Sequence, residues 1–140
     1  MKKKQSLTPL GETELEVLQH VWALGQATVA DVHDRILRER KVAYTTIMTV
    51  MKNLARKGFL EYERQGNAYV YRPSRPPEEV RYGLLRSLLK KVFRGSPAAL
   101  VQTLVRNEPL SEEERQAIRT LIDQLDDEPD VSDGGTASPR

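Results

Sequence analysis

Leu15, Leu18, Val21 and Trp22 recur at helical spacing and the pattern stops at Leu24-Gly25, which predicts a first helix from about Gly11 to Leu24. Either Thr8, ahead of Pro9, or Gly11 caps its start. Thr28 then opens a second helix, with Asp31 three residues on as in a capping box and Val29, Val32, Ile36 and Leu37 as its apolar stripe. A polar stretch, Arg38 to Lys41, leads to a third helix from about Thr45 to Lys57, ended by Gly58. Phe59–Arg64 and Ala68–Arg72 are rich in aromatic and β-branched residues and flank Gln65-Gly66-Asn67, the pattern of a β-hairpin. Three short helices followed by a hairpin are the parts of a winged helix-turn-helix.

Pro73-Ser74-Arg75-Pro76-Pro77 reads as a linker, because proline interrupts both ladder and helix. Three more helices are expected beyond it: one near Glu78–Phe93, one starting at Ser96-Pro97, and one opened by the capping box Ser111–Glu114. From Asp126 the composition becomes acidic and then rich in Gly, Ser, Thr and Pro, as in a disordered tail. The fold class is therefore mainly α with a small β-hairpin wing. The expected domains are a winged helix at 1–75, a helical dimerisation domain at 76–125 and a tail at 126–140.

The apolar residues of the C-terminal helices support that second assignment. Leu84, Leu85, Leu88, Leu89, Val92 and Phe93 cover more than one face of their helix, and Leu100, Leu104, Ile118, Leu121 and Ile122 continue the apolar surface. Three helices over so short a stretch are too few to close a core alone. A second copy is the simplest cover, and two-fold dimers are the default. The alternative is that these helices pack back on the winged helix.

Charge adds a direction. The chain of 140 residues has a net charge of only +2, but residues 1–75 carry 13 Lys/Arg against 8 Asp/Glu, residues 76–140 carry 9 against 12, and residues 40–75 carry 8 against 2. A basic segment beside an acidic half points to an anionic partner for the first. With no cysteine there is no disulfide, thiol nucleophile or thiolate site, and two histidines make a multi-histidine metal centre improbable; no cofactor is expected. His20, His33 and Trp22 read as ordinary helix and core residues, and no phosphate-loop, dinucleotide, GxSxG or HExxH pattern marks an enzyme. No apolar segment follows the Met-Lys-Lys-Lys start and no apolar run reaches membrane-spanning length, so a soluble, cytoplasmic protein is expected.

The third helix carries the chemistry. At about 100° per residue, Ile47, Val50, Met51 and Leu54 form one stripe, while Thr45, Thr49, Lys52 and Arg56 lie opposite, flanked by Thr46, Met48 and Asn53. Hydroxyls and Asn53 can reach base edges in a major groove, Met48 can meet a thymine methyl, and Lys52, Arg56 and Lys57 can meet phosphates. A merely solvated face is the plain alternative, and the basic hairpin that follows weighs against it. Tyr62, Tyr69 and Tyr71 could stack on bases, but are expected to pack the hairpin on the helices, with at most one ring near a phosphate.

The run from Ala43 to Leu60, with Gly66-Asn67-Ala68-Tyr69-Val70-Tyr71 behind it, resembles the penicillinase repressor (BlaI/MecI/CopY) family. Leu15-Glu16-Val17-Leu18 with Val21-Trp22, Ala27-Thr28-Val29, Val92-Phe93-Arg94-Gly95 and Leu110–Glu114 extend the resemblance over about residues 8–125. It implies a bacterial, homodimeric winged-helix repressor that binds palindromic double-stranded operators, often with TACA/TGTA half-sites, and has a helical C-terminal dimerisation domain. It further implies release through a membrane-embedded sensor protease or, in the copper branch, through a cysteine motif. The absence of cysteine excludes the copper mechanism here, and Thr103-Leu104 stand where cleavable members carry Asn-Phe. Asn67 occupies the wing tip, where relatives often place Arg, which leaves Arg64 and Arg72 as wing cations. A winged helix used only for protein interaction, and an RNA-binding winged helix, are the other readings.

Overall fold

The computed structural model describes residues 10–127. Their elements run α1 (Glu12–Leu24), α2 (Val29–Leu37), α3 (Tyr44–Arg56), β1 (Leu60–Gln65), β2 (Ala68–Pro73), α4 (Pro77–Phe93), α5 (Pro97–Asn107) and α6 (Glu112–Asp127). Thr8 lies outside the described residues, and Gly11 is the residue that caps α1, its N–H donating to the Glu14 carboxylate at 2.9 Å. The Thr28 capping box forms in both directions: the Asp31 N–H donates to Thr28 Oγ1 at 3.1 Å and the Thr28 N–H to Asp31 Oδ2 at 2.9 Å.

The apolar stripes read from the sequence converge on one core, except that Leu37, read as part of the α2 stripe, is exposed. Val17, Leu18 and Val21 of α1, Val32 and Ile36 of α2, and Ile47, Met51 and Leu54 of α3 are each 0% exposed. Phe59, Leu60 and Tyr71 close the hairpin side of that core. Gly58, at φ +90°, turns the chain from α3 into β1 in a conformation that a side chain at Cβ disfavours. The hairpin is antiparallel with Gln65 opposite Ala68, so its loop is the two residues Gly66-Asn67. Gly66 has φ +65° while Asn67 keeps φ negative, the arrangement in which glycine takes the first central position of a hairpin turn. An isolated bridge joins Ala27 to Tyr71, with two hydrogen bonds of 2.8 Å, and this anchors β2 to the α1–α2 connection.

The proline-rich stretch differs from the expected linker. Pro73 ends β2 opposite Leu60, and Pro77 is the first residue of α4, where its missing N–H leaves no helical hydrogen bond unmade. Ser74 is tied back by its N–H to the Phe59 carbonyl at 3.1 Å. Beyond Pro76, Val80 is 5% exposed within the winged-helix core, Leu84 packs against that core, and the Arg81 guanidinium lies 5.2 Å from the centre of the half-buried Trp22 ring. Leu84, expected at a dimer seam, thus has an apolar partner in its own chain. By compactness the first unit ends at Ser96 and takes in α4, whereas the prolines placed the boundary near residue 76.

The second unit begins at Pro97. Its α6 starts with the expected box, in which Ser111 Oγ accepts from the Glu114 N–H at 3.1 Å and Glu114 accepts from the Ser111 N–H. The helix continues through Asp127, so Asp126 is helical rather than the first residue of a tail; residues 128–140 lie outside the described residues. Leu100 and Ile118 are half-buried, and Leu104, Leu121 and Ile122 are exposed. On α4, Leu88, Leu89 and Phe93 are half-buried, while Leu85 and Val92 are exposed.

Candidate nucleic-acid interface

Burial of Ile47, Met51 and Leu54 against α1 and α2 fixes which side of α3 faces outward. Thr45, Thr46, Thr49, Lys52 and Arg56 are all exposed on it, and Val50 packs against the core. No side chain caps the start of α3, so the N–H groups of its first residues keep their positive potential toward solvent. The α2–α3 turn is held by His33, whose Nε2–H donates to the Val42 carbonyl at 2.8 Å and whose ring meets Tyr44 edge-on at 5.5 Å. From sequence, His33 is only a helix residue; here it fixes the angle at which α3 leaves the turn. Arg40 reinforces the same turn through Glu16 of α1 at 2.6 Å. That hydrogen bond, more than the charge, holds the Glu16 carboxyl below its ordinary range.

The cations expected to meet phosphate divide into two groups. Lys57 is committed elsewhere: its ammonium donates to both oxygens of Glu14 at 2.9 Å. Burial pushes the Glu14 carboxyl up, but the hydrogen bonds from Lys57 and the Gly11 N–H outweigh it and the net displacement is downward. Arg72, expected as a wing cation, is paired with Glu61 at 3.0 Å and Glu63 at 3.7 Å. Lys52, Arg56 and Arg64, in contrast, have no ion-pair partner among the described residues. Arg64 Nε donates to the Gly66 carbonyl at 3.2 Å, which holds this cation at the wing tip beside Asn67.

Asn53 and Met48 also sit differently from a free base-reading pair. Asn53 is half-buried and its Oδ1 accepts from Arg56 Nη2 at 2.7 Å, so it orients the arginine. Met48 is half-buried and packs against the core. It lines a cleft of about 280 Å³ with Thr28, Tyr44, Lys52, Asn67 and Tyr69, which brings the wing tip close to the exposed face of α3.

The hairpin register decides the rest. Tyr62 pairs with Tyr71 and Arg64 with Tyr69, so all four side chains lie on one face, and Glu61, Glu63 and Arg72 lie on the other. Tyr71 is 2% exposed as expected of a packing residue, but Tyr62 and Tyr69 are 52% and 45% exposed. Together with Lys52, Asn53, Ala55 and Arg56 the three tyrosines enclose a trench of about 520 Å³ between α3 and the wing. The alternation of Tyr62 with Arg64 and of Tyr69 with Tyr71 is visible in the sequence; that this face turns toward α3 is not.

Among the described residues no helix is long and apolar enough to cross a membrane and no group of acidic, His or Cys side chains is arranged to hold a metal ion. Residues 10–124 match the model of the penicillinase repressor family. Over 123 residues the chain is 32% identical to the transcriptional regulator BlaI of Mycobacterium tuberculosis, covering 86% of this chain and 87% of the relative. It is 24% identical to the methicillin resistance regulatory protein MecI of Mammaliicoccus sciuri over 115 residues, 82% of this chain and 94% of the relative. Among solved structures, a cysteine-to-serine mutant of MarR from E. coli aligns with a TM-score of 0.50 at 14% identity over 84% of this chain and 78% of that chain, a likeness of fold alone.

Proposed function

The chain belongs to the penicillinase repressor family, and from that premise we propose that it is a transcriptional repressor that binds duplex operator DNA in a sequence-specific way. The observation that carries this reading is the outward face of α3, where three threonines, Lys52 and Arg56 stand exposed opposite a fully buried stripe. Thr45, Thr46 and Thr49 read base edges in the major groove, and Lys52, Arg56 and Arg64 neutralise phosphates on either side. Asn53 acts through Arg56. Asn67 contributes at the wing tip without charge.

The operator is a palindrome read by a homodimer. Exposed Leu104, Leu121 and Ile122, together with Leu85 and Val92 of α4, are apolar surface that a second copy covers. Two recognition helices then sit ~34–36 Å apart and read successive half-sites on one side of the duplex. Release from DNA by a membrane sensor protease belongs to what the family resemblance implies, and the exposed pair Thr103-Leu104 of α5, standing where cleavable members carry Asn-Phe, speaks against cleavage with the same specificity.

Binding-site selection tests the proposal: random genomic fragments are recovered with the purified protein at physiological salt and sequenced. A two-fold symmetric motif is the expected result. Recovery without any motif means an unspecific electrostatic surface, and the protein-interaction reading takes its place. An equal preference for RNA and duplex palindrome defeats the operator reading as well.

A further inference from the structure

We propose that the trench between α3 and the wing is a seat for one sugar–phosphate strand of the duplex, in which the phenol hydroxyls of Tyr62 and Tyr69 act as uncharged donors to phosphate beside Lys52 and Arg56. The inference rests on the DNA-binding reading and assigns the part of the interface that base reading by α3 leaves unexplained.

Four observations converge on it. The trench is walled by Lys52 and Arg56 on one side and by Tyr62 and Tyr69 on the other, and no carboxylate lines it. The hairpin's own acids, Glu61 and Glu63, fall on the opposite face by register and are paired there with Arg72. An anion is therefore the ligand that this charge distribution selects. The rings are also fixed before any ligand arrives. Tyr62 meets Tyr69 edge-on at 5.1 Å with planes 80° apart, and lies 5.3 Å from Tyr71. Tyr71 in turn is pinned by its two backbone hydrogen bonds to Ala27. On the facing wall, Asn53 holds Arg56 at 2.7 Å.

The exposed Tyr62 and Tyr69 present their hydroxyl-bearing rings to solvent along a channel of about 520 Å³, so an extended strand fits better than an enclosed small molecule. Hydroxyl donors to phosphate oxygens position a duplex without reading sequence. Burial, and then the neighbouring Tyr62 and Tyr69, push the Tyr71 hydroxyl up, so this phenol at the trench floor stays protonated and uncharged well above neutral pH.

A neutral donor leaves a signature that a cation does not. Loss of a phosphate-bound lysine lowers the salt dependence of binding, because fewer counterions are released; loss of a hydroxyl leaves that slope alone. The test uses the full chain, the operator obtained by site selection, and the variants Tyr62→Phe and Tyr69→Phe, which keep the rings and their packing. Affinity is measured by anisotropy across a salt series, on the natural duplex and on duplexes carrying single neutral methylphosphonates. Each variant should bind the natural operator about threefold to tenfold more weakly, the net loss of one hydrogen bond, with the slope unchanged. That deficit should vanish when the neutral linkage replaces the seated phosphate. Wild-type affinity in both variants, or a deficit that persists at every methylphosphonate position, overturns the seat while leaving DNA binding intact. A wild-type protein that binds no duplex overturns the repressor reading, and the seat with it.

Discussion

The Glu14 carboxylate of α1 grips the Lys57 ammonium at the end of α3 with both oxygens at 2.9 Å, while the Gly11 N–H steadies the same carboxylate from the other side. Lys57 is the one cation of the α3 segment that the sequence places among phosphate contacts and the tertiary structure assigns to a strap between two helices. Its charge is already paired within the chain, and this separates it from Lys52, which lies about 1.4 helix turns earlier and carries no such partner among the described residues.

Replacing Lys57 by Ala should therefore leave the salt slope of DNA binding close to wild type, whereas Lys52→Ala should lower it by about one per protomer. Glu14→Gln should act in the opposite direction, freeing Lys57 so that affinity for random DNA rises and the slope steepens. Anisotropy titrations of the three variants over a salt series read all three effects. A steeper loss for Lys57→Ala than for Lys52→Ala would return Lys57 to the phosphate set.

The same strap gives a pH dependence with a definite sign. The folded-state Glu14 carboxyl lies below its ordinary value, so its contribution to stability is present above the unfolded carboxylate range and is lost as pH falls through the lower folded value. Glu16, held down first by the Arg40 hydrogen bond, acts in the same direction. Urea midpoints at neutral pH and in the acid range below about 4 should fall further for the wild type than for Glu14→Gln. Parallel falls would show that the strap does not discriminate folded from unfolded chain. At neutral pH the strap itself, being partly exposed, should be worth no more than about 1 kcal/mol.

Thr49→Ala should relax discrimination at one base pair, with a loss of ~1–3 kcal/mol at that position and little change on random DNA. Competition with single-base operator variants measures this. Equal losses on operator and random DNA would remove Thr49 from the base-reading set.

Val80 places α4 within the winged-helix core, so Val80→Ala should destabilise that unit by ~1–3 kcal/mol even though the substitution lies beyond the prolines. Ending the chain at Pro76 should cost more than ending it at Ser96, since the shorter cut removes Val80, Leu84 and the Arg81–Trp22 contact together. Thermal melts of the two truncated chains decide the order.

The chain ended at Ser96 should be a folded monomer with weak DNA affinity, because of the apolar surface assigned to the partner copy only Leu85 and Val92 are left, while the α3 face and wing remain. Light scattering and operator titration check the two halves of the statement. A dimer that survives this cut would refute the assignment of α5 and α6 to dimerisation.

Much of the fold was legible in the sequence because it depends on local chemistry. Thr28-x-x-Asp31 and Ser111-x-x-Glu114 announce helix starts because their side chains satisfy N–H groups within the same turn. Gly58 and Gly66 announce reversals because their backbones need a positive φ. The stripe Ile47, Met51, Leu54 announces which side of α3 is buried because its period is that of the helix. The prolines misled for the same local reason. They interrupt backbone hydrogen bonding, but a strand can end on Pro73 and a helix can begin on Pro77, so their run does not mark where packing ends.

By itself, then, the sequence determined the order of the helices and where most of them start, the hairpin and its turn, and the threonine and cation face of α3, since each follows from neighbours a few residues apart. Only the tertiary structure decided which charges that face can spend. Glu14 lies 43 residues from Lys57 and Glu16 24 residues from Arg40, and no periodicity brings such partners together. The tertiary structure likewise turned Tyr62 and Tyr69 toward Lys52 and Arg56, because the direction of the hairpin face is set by how Tyr71 docks on Ala27 and the core, a packing choice made across the whole unit.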